Sequence, residues 1–325
     1  MVEAACFTPR PVHDGRLISG IPLKRLPLPR SLRMKIHIDG QLLDKEDAKI
    51  SVFDHGLLYG DGVFEGIRIY HGRIFRLTAH LKRLYESARS ICMEIPISVE
   101  EMEKATLDTV AANNLQDGYI RLVITRGVGS LGLNPFQCPR PSVIIIASTI
   151  SLYPAERYEK GLNLITCATR RPTPAALSPQ VKSLNYLNNV MAKIEAIQAG
   201  CEEGIMLNEQ GYVAECTGDN VFVAKNGKVY TPPISAGGLD GITRQAVIEI
   251  LGQLGFSCEE KMMTRHDLFT ADECFLTGTA AEVIPAVQLD RRVIGDGKPG
   301  PITAQVVAAF RELVKHDGTP VTYAS

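Results

Sequence analysis

Apolar positions recur along the chain at two periods, and each period predicts an element. Leu77, Leu81, Leu84, Ala88 and Ile91 follow a helical spacing, as do Leu184, Leu187, Val190, Met191, Ile194 and Ile197 within 182–199. Ser98 with Glu101 forms a capping-box pair ahead of a helix ending near 113–114. Segments 242–254 and 302–316 predict two more helices. Alternating or β-branched runs predict strands at 34–39, 63–70, 119–126, 142–148 and 162–168. Asn226-Gly227 between two short runs is a hairpin signal. On 119–126, Tyr119, Arg121, Val123 and Thr125 share one face, while Ile120, Leu122 and Ile124 take the other, toward a core.

Strands and helices interleave throughout, which predicts an α/β chain in two layered domains. The smaller spans 34–152 and includes a Gly- and Pro-rich loop at 127–141; the larger spans 153–325. Residues 1–33 carry six Lys or Arg, only Glu3 and Asp14 as acids, and prolines at 9, 11, 22, 27 and 29. They lack the apolar stretch of a secretory signal, and a disordered extension is expected there.

Composition narrows the function classes. The 325 residues are 45% hydrophobic, enough for a sizeable core. A net charge of −1 argues against a basic nucleic-acid surface. The longest apolar run, around 143–147, is too short to span a membrane. The eight cysteines include no C-x-x-C pair and no accompanying His cluster, so no metal site is expected; they read as ordinary thiols in a reducing compartment, the cytoplasm.

One tempting motif is set aside. Gly127, Gly129 and Gly132 fit G-x-G-x-x-G after a strand, but Asn134-Pro135 and Pro139-Arg140-Pro141 follow where a dinucleotide site needs a helix. No Walker A, H-E-x-x-H or G-x-S-x-G pattern is present.

Four local features carry more chemistry. Phe64, Gly66 and Arg68 share one face of a strand, and the Gly leaves room for something to approach, although taken alone the trio is better read as a surface Arg beside a twist-relieving Gly. Lys182 falls in the first turn of the expected 182–199 helix, where the dipole disfavours a cation and favours the neutral amine a Schiff-base lysine needs; Tyr186 sits one turn on. Glu215 ends a strand at 211–215, either half-buried beside Tyr212, Val213 and Ala214 or facing water from an edge. Gly241-Ile242-Thr243-Arg244 opens a helix, and 277–281 is a small-residue turn able to form a backbone nest; both suit an anion. A lysine, an acid, an arginine and two anion cradles together suggest pyridoxal phosphate.

Seven segments in order then make a family legible. They are 54–66 (DHGLLYGDGVFEG), Tyr119-Ile120-Arg121, 132–135 (GLNP), 182–187 (KSLNYL), 215–220 (ECTGDN), 241–244 (GITR) and 278–282 (GTAAE). The chain resembles the fold-type IV pyridoxal-phosphate enzymes, most closely the branched-chain-amino-acid aminotransferases, from about residue 34 to about 316.

The resemblance implies a two-domain enzyme with pyridoxal 5'-phosphate in the interdomain cleft. Lys182 matches the lysine that forms the Schiff base and shuttles the substrate proton. Glu215 matches the acid at the pyridine nitrogen, and Tyr186 the tyrosine beside the phenolic oxygen. Arg68, Ile242, Thr243 and Thr279 match phosphate binders. Tyr59, Phe64, Tyr119, Arg121 and Tyr153 would line the substrate pocket, with the backbone of Thr279 and Ala280 holding the α-carboxylate. The implied reaction moves the amino group of L-leucine, L-isoleucine or L-valine to 2-oxoglutarate. Its partners are small amino acids and 2-oxo acids, without nucleic acid or membrane, in a homodimer or larger homo-oligomer. The loop 127–141 would cover the substrate. D-amino-acid and amine transaminases and aminodeoxychorismate lyase share the fold; Ser130-Leu131-Gly132-Leu133 stands where the D-specific branch has Arg-x-His. Asp240 replaces a common Pro and is expected to cap the helix or turn outward, and Asp219 replaces a common Glu.

Overall fold

The computed structural model describes residues 34–323, so the extension expected at 1–33 lies outside the described residues. The first half runs β1 (Lys35–Ile38), β2 (Gln41–Asp44), α1 (His55–Tyr59), β3 (Gly62–Tyr70), β4 (Arg73–Ile74), α2 (Leu77–Ser90), α3 (Val99–Ala112), β5 (Gly118–Thr125) and β6 (Ser142–Ser148). The second half begins with α4 (Ala155–Lys160), β7 (Leu162–Thr166), α5 (Pro174–Leu177), α6 (Leu187–Gln198), β8 (Glu203–Leu207), β9 (Val213–Cys216), β10 (Asn220–Lys225) and β11 (Lys228–Thr231). It continues with α7 (Ile242–Gln253), β12 (Cys258–Glu260), α8 (Arg265–Phe269), β13 (Glu273–Gly278), β14 (Glu282–Leu289), β15 (Arg292–Val293), α9 (Pro301–Leu313) and β16 (Thr319–Pro320).

Among the described residues, two sheets carry the architecture. The first has seven strands in the order β16-β4-β3-β5-β6-β1-β2. The second has nine, in the order β12-β11-β10-β13-β14-β7-β8-β9 with β15 beside β14. Alternation on β5 works as the pattern predicts: Ile120, Leu122 and Ile124 are buried in the core that the α2 residues Leu77, Leu81, Leu84 and Ala88 close from outside. The Ser98–Glu101 capping box starts α3, and Asn226 (φ 51°) with Gly227 (φ 76°) turns β10 into β11 through two left-handed residues.

Three features escaped the pattern. The short α1 (HGLLY) and β2 (QLLD) are too brief for an apolar period to show. The chain end returns to the first sheet as β16, pairing with β4, because Val321 and Tyr323 pack into the first core. Helix α6 turns its apolar stripe outward: Leu187, Val190, Met191, Ile194 and Ile197 are exposed, while Asn189, Ala192 and Ala196 face the sheet. Small residues let the helix sit close to β8, where a Cβ on Gly204 would lie 2.3 Å from Cys167 Sγ. Among the described residues no helix is long and apolar enough to cross a membrane.

Candidate active site

A cavity of about 320 Å³ opens between the two sheets, walled by Phe64, Gly66, Tyr119 and Arg121 of the first and by Glu215 and Asp219 of the second. Its first-sheet wall follows from strand pairing, since Gly66 stands opposite Arg121 in the β3–β5 register. A Cβ on Gly66 would lie 2.0 Å from Tyr119 Oη, so what the glycine admits is that hydroxyl. Arg121 Nη2 donates to Tyr119 Oη at 3.1 Å, and its guanidinium lies 4.7 Å from the Phe64 ring centre. Tyr119 accepts from Arg121 and keeps its own proton to donate.

Lys182 reaches this cavity from irregular backbone, not from a helix. Helix α6 begins at Leu187, with Tyr186 as its N-cap. The segment before it pairs instead with the start of β3: Phe64 N donates to Lys182 O and Leu184 N to Gly62 O, both at 2.9 Å. Ser183 helps divert it, accepting from Asn185 N at 3.3 Å, a local bond that competes with helix. The helix-dipole argument for Lys182 therefore does not hold. The amine instead donates to Tyr186 Oη at 3.1 Å and sits 4.6 Å from the Phe64 ring centre.

Glu215 resolves in favour of burial. Strand β9 is an edge strand, yet Arg171 and the 237–239 backbone cover the carboxylate. Arg171 Nη2 lies 2.9 Å from Oε1, and Leu239 N donates to Oε2 at 2.8 Å. Burial pushes the Glu215 carboxyl up, against the Arg171 guanidinium and the Leu239 N–H. The same helix α6 that turns Asn189 inward uses it to accept from Arg171 Nη1 at 3.0 Å. Sequence reasoning missed Arg171, because it sits in an aperiodic stretch between Arg170 and Pro172.

Ile242 and Thr243 open α7 on the cavity wall, and Thr279 and Ala280 reach it from the β13–β14 turn. Gly241 is the α7 N-cap and leaves the first turn without a side-chain cap. Asp240 turns outward, as expected, where its carboxylate accepts from Gln245 Nε2 at 2.8 Å. Thr277 Oγ1, also on the wall, is buried without a hydrogen-bond partner. Asp219 faces the cavity with its carboxyl pushed up to about 7, by burial first and then by the charge of Glu203.

Two expected residues stand elsewhere. Arg68 is not on the cavity wall, although its register partner Tyr119 is: its guanidinium is held by Glu282 at 2.8 Å and stacks over Tyr70. The arginine on the wall is Arg83 of α2, whose Nη1 donates to Asp240 O at 2.5 Å, directly before Gly241. Its position beside the Leu81–Leu84 stripe looked like an ordinary flank of a core helix. Tyr59 is also off the wall; α1 ends at Gly60 (φ 67°) and carries Tyr59 outward, where its hydroxyl donates to Leu131 O. The loop 127–141 accordingly packs on the 53–59 segment, with His55 Nε2 2.6 Å from Ser130 O, and none of its residues lines the cavity. Tyr153 does line it, and donates to Glu203 Oε2 at 3.2 Å.

The donor set fits a phosphorylated aldehyde with a ring nitrogen. There is an amine, a buried carboxylate, an arginine beside a helix N-terminus, and an unpartnered hydroxyl in one cavity. Among the described residues no cluster of His, Cys, Asp or Glu could hold a metal ion.

Comparison with known proteins gives the same direction. A family model described as amino-transferase class IV matches residues 62–289. A provisionally named branched-chain-amino-acid aminotransferase of Methanocaldococcus jannaschii is 50% identical over 280 residues, 86% of this chain and 96% of that protein. The crystal structure of Escherichia coli branched-chain amino acid aminotransferase matches with a TM-score of 0.85 at 36% identity, covering 87% of this chain and 95% of that one. The T.th. branched-chain amino acid aminotransferase complexed with N-(5'-phosphopyridoxyl)-L-glutamate matches with a TM-score of 0.83 at 39% identity, covering 87% and 94%.

Proposed function

The chain belongs to the class IV aminotransferases, and from that premise we propose that it transfers the amino group of L-leucine, L-isoleucine or L-valine to 2-oxoglutarate, using pyridoxal 5'-phosphate. One observation carries the reading: the Lys182 amine, the buried Glu215 carboxylate and the Arg83–Ile242–Thr243 cradle all open on the cavity that Phe64 and the Tyr119–Arg121 pair also line.

When bound, the cofactor supplies an electrophilic aldehyde and a ring that takes up the electrons of the substrate Cα–H bond. Lys182 would hold the aldehyde through its amine, and the same amine is the base placed to accept and return the Cα proton. Tyr186 accepts a hydrogen bond from that amine and so orients it. Glu215, held by Arg171, would accept from the ring N–H. Arg83, Ile242, Thr243 and Thr279 would hold the phosphate, with Arg83 in the role the motif resemblance gave to Arg68.

Phe64 and Tyr153 form an apolar wall for a branched side chain. Tyr119 and Arg121 supply donors for the γ-carboxylate of glutamate or 2-oxoglutarate, so both substrates use one pocket in turn. The backbone of Thr279 and Ala280 holds the α-carboxylate. We assign 34–152 to the smaller domain, which the chain end at 319–323 rejoins through β16, and 153–318 to the larger.

The exposed apolar residues Val52, Phe53, Leu57, Leu131, Leu133 and Phe136 support a homodimer contact on the face formed by α1 and the 127–141 loop. Tyr59 and that loop would then serve the site of a second copy. Seven described cysteines, all unpaired, support a cytoplasmic setting.

The test is product formation. L-leucine with 2-oxoglutarate should give L-glutamate and 4-methyl-2-oxopentanoate, while D-alanine with 2-oxoglutarate should give nothing above background. Turnover of D-alanine alone would sink the reading.

A further inference from the structure

Glu65 lies on β3 between the cavity residues Phe64 and Gly66, on the opposite face, and it is fully buried. A carboxylate there is costly unless its oxygens are satisfied. Arg83 Nε donates to its Oε1 and Arg83 Nη2 to its Oε2, each at 2.8 Å, and His80 Nδ1 lies 2.8 Å from Oε2. His80 and Arg83 stand three residues apart on α2, so one helical face presents both to the same strand residue. Burial would raise the Glu65 carboxyl, but Arg83 and His80 outweigh it and hold it at about 2. Glu65 is therefore an acceptor only, and His80 carries its proton on Nδ1. Burial keeps His80 neutral, with Nε2 buried and unpartnered.

The guanidinium of Arg83 is thus clamped from two directions. Glu65 takes its Nε and Nη2 side, and Asp240 O takes Nη1. Two of its five N–H groups remain for an anion in the cavity, whose wall Arg83 forms with Ile242 and Thr243.

We propose that Glu65 and His80 are positioning residues that set the Arg83 guanidinium for phosphate binding, an inference that rests on the cofactor reading above. The sign of the effect separates this role from a simple charge effect. Glu65 is an anion close to where a phosphate binds, so by charge alone its removal tightens anion binding. Positioning demands the reverse, because Arg83 loses the acceptor that fixes its fork.

The experiment uses the full chain stripped of cofactor and titrated with pyridoxal 5'-phosphate, inorganic phosphate and pyridoxal. Glu65→Gln should weaken both phosphate-bearing probes about tenfold or more, the scale of a charge-assisted hydrogen bond, and leave pyridoxal unchanged. His80→Leu, which keeps the charge and removes one donor, should act in the same direction with a smaller effect. In an Arg83→Lys background, Glu65→Gln should add no further loss of phosphate affinity. Equal or tighter phosphate binding by Glu65→Gln, or equal losses for pyridoxal and its phosphate, overturns the positioning role. A wild-type chain that binds pyridoxal phosphate no better than pyridoxal overturns the cofactor reading as well, and is told apart by needing no variant.

Discussion

Arg171 Nη2 stands 2.9 Å from Glu215 Oε1, and both side chains are buried. The guanidinium favours the ionised carboxylate at the cavity floor, while burial favours the neutral acid and pushes the carboxyl up. Its geometry makes a directional prediction. Arg171→Met leaves Glu215 buried and unpaired, which costs about 3–5 kcal/mol in stability by general experience with broken buried pairs. The carboxyl then rises further, and the acid limb of the pH–rate profile moves to higher pH. An unmoved limb would mean that Arg171 is only a packing residue.

Two buried carboxyls make opposite stability statements. Glu65 is depressed from 4.5 to about 2, so its contribution is present above pH 4.5 and is lost as pH falls through about 2. Asp219 is raised from 3.8 to about 7, so its contribution is present below pH 3.8 and is lost as pH rises through about 7. Denaturant melts across pH should therefore show Glu65→Gln losing its deficit in acid, and Asp219→Asn gaining on wild type between pH 4 and 8. The differences are on the order of 3 kcal/mol for Glu65 and of 4 kcal/mol or slightly more for Asp219 at their limits. Parallel curves would contradict the assigned environments.

Gly66 has no side chain because Tyr119 Oη occupies its place. Gly66→Ala should push that hydroxyl aside and break its bond from Arg121. The loss should fall on kcat/KM for 2-oxoglutarate, by about 10–100-fold, the scale of one charge-assisted hydrogen bond. The value for 4-methyl-2-oxopentanoate should drop far less. Arg121→Ala should show the same selectivity. Equal losses for the two oxo acids would make the Tyr119–Arg121 pair structural.

Tyr186→Phe removes the acceptor of the Lys182 amine while keeping the ring that packs edge-on to Phe64 at 4.9 Å. A fall in kcat of about 10–100-fold, with the melting temperature nearly unchanged, is expected for an orienting hydrogen bond. A large drop in melting temperature instead would identify the hydroxyl as part of the fold.

The sequence showed the first-sheet wall clearly, because β5 alternates without interruption and its two faces differ in kind. Ile120, Leu122 and Ile124 could only be core, which left Tyr119 and Arg121 for the other side. Lys182 was legible as a motif residue but not as a conformation: Ser183 and Asn185 divert its backbone into local bonds that no apolar period records. Arg68 and Arg83 show the limit more sharply. Both flank apolar runs, and only their distant carboxylate partners, Glu282 for Arg68 and Glu65 for Arg83, decide which one faces the cavity. Glu65 and Arg171 were invisible for a common reason, since a buried ion pair is a long-range contact and leaves no local pattern. The α6 stripe points outward for the converse reason, because Ala192 and Ala196 win the close approach to the sheet.

The central claim is that the Lys182 amine holds the cofactor and moves the Cα proton while a branched-chain L-amino acid gives up its amino group. The visible absorbance of the full chain loaded with pyridoxal phosphate tests it most directly, before and after L-leucine, beside Lys182→Ala. The account predicts a yellow band in wild type that bleaches with L-leucine and not with D-alanine, and no such protein-bound band in a folded Lys182→Ala chain. An unchanged band in the variant, or bleaching by D-alanine alone, would contradict it.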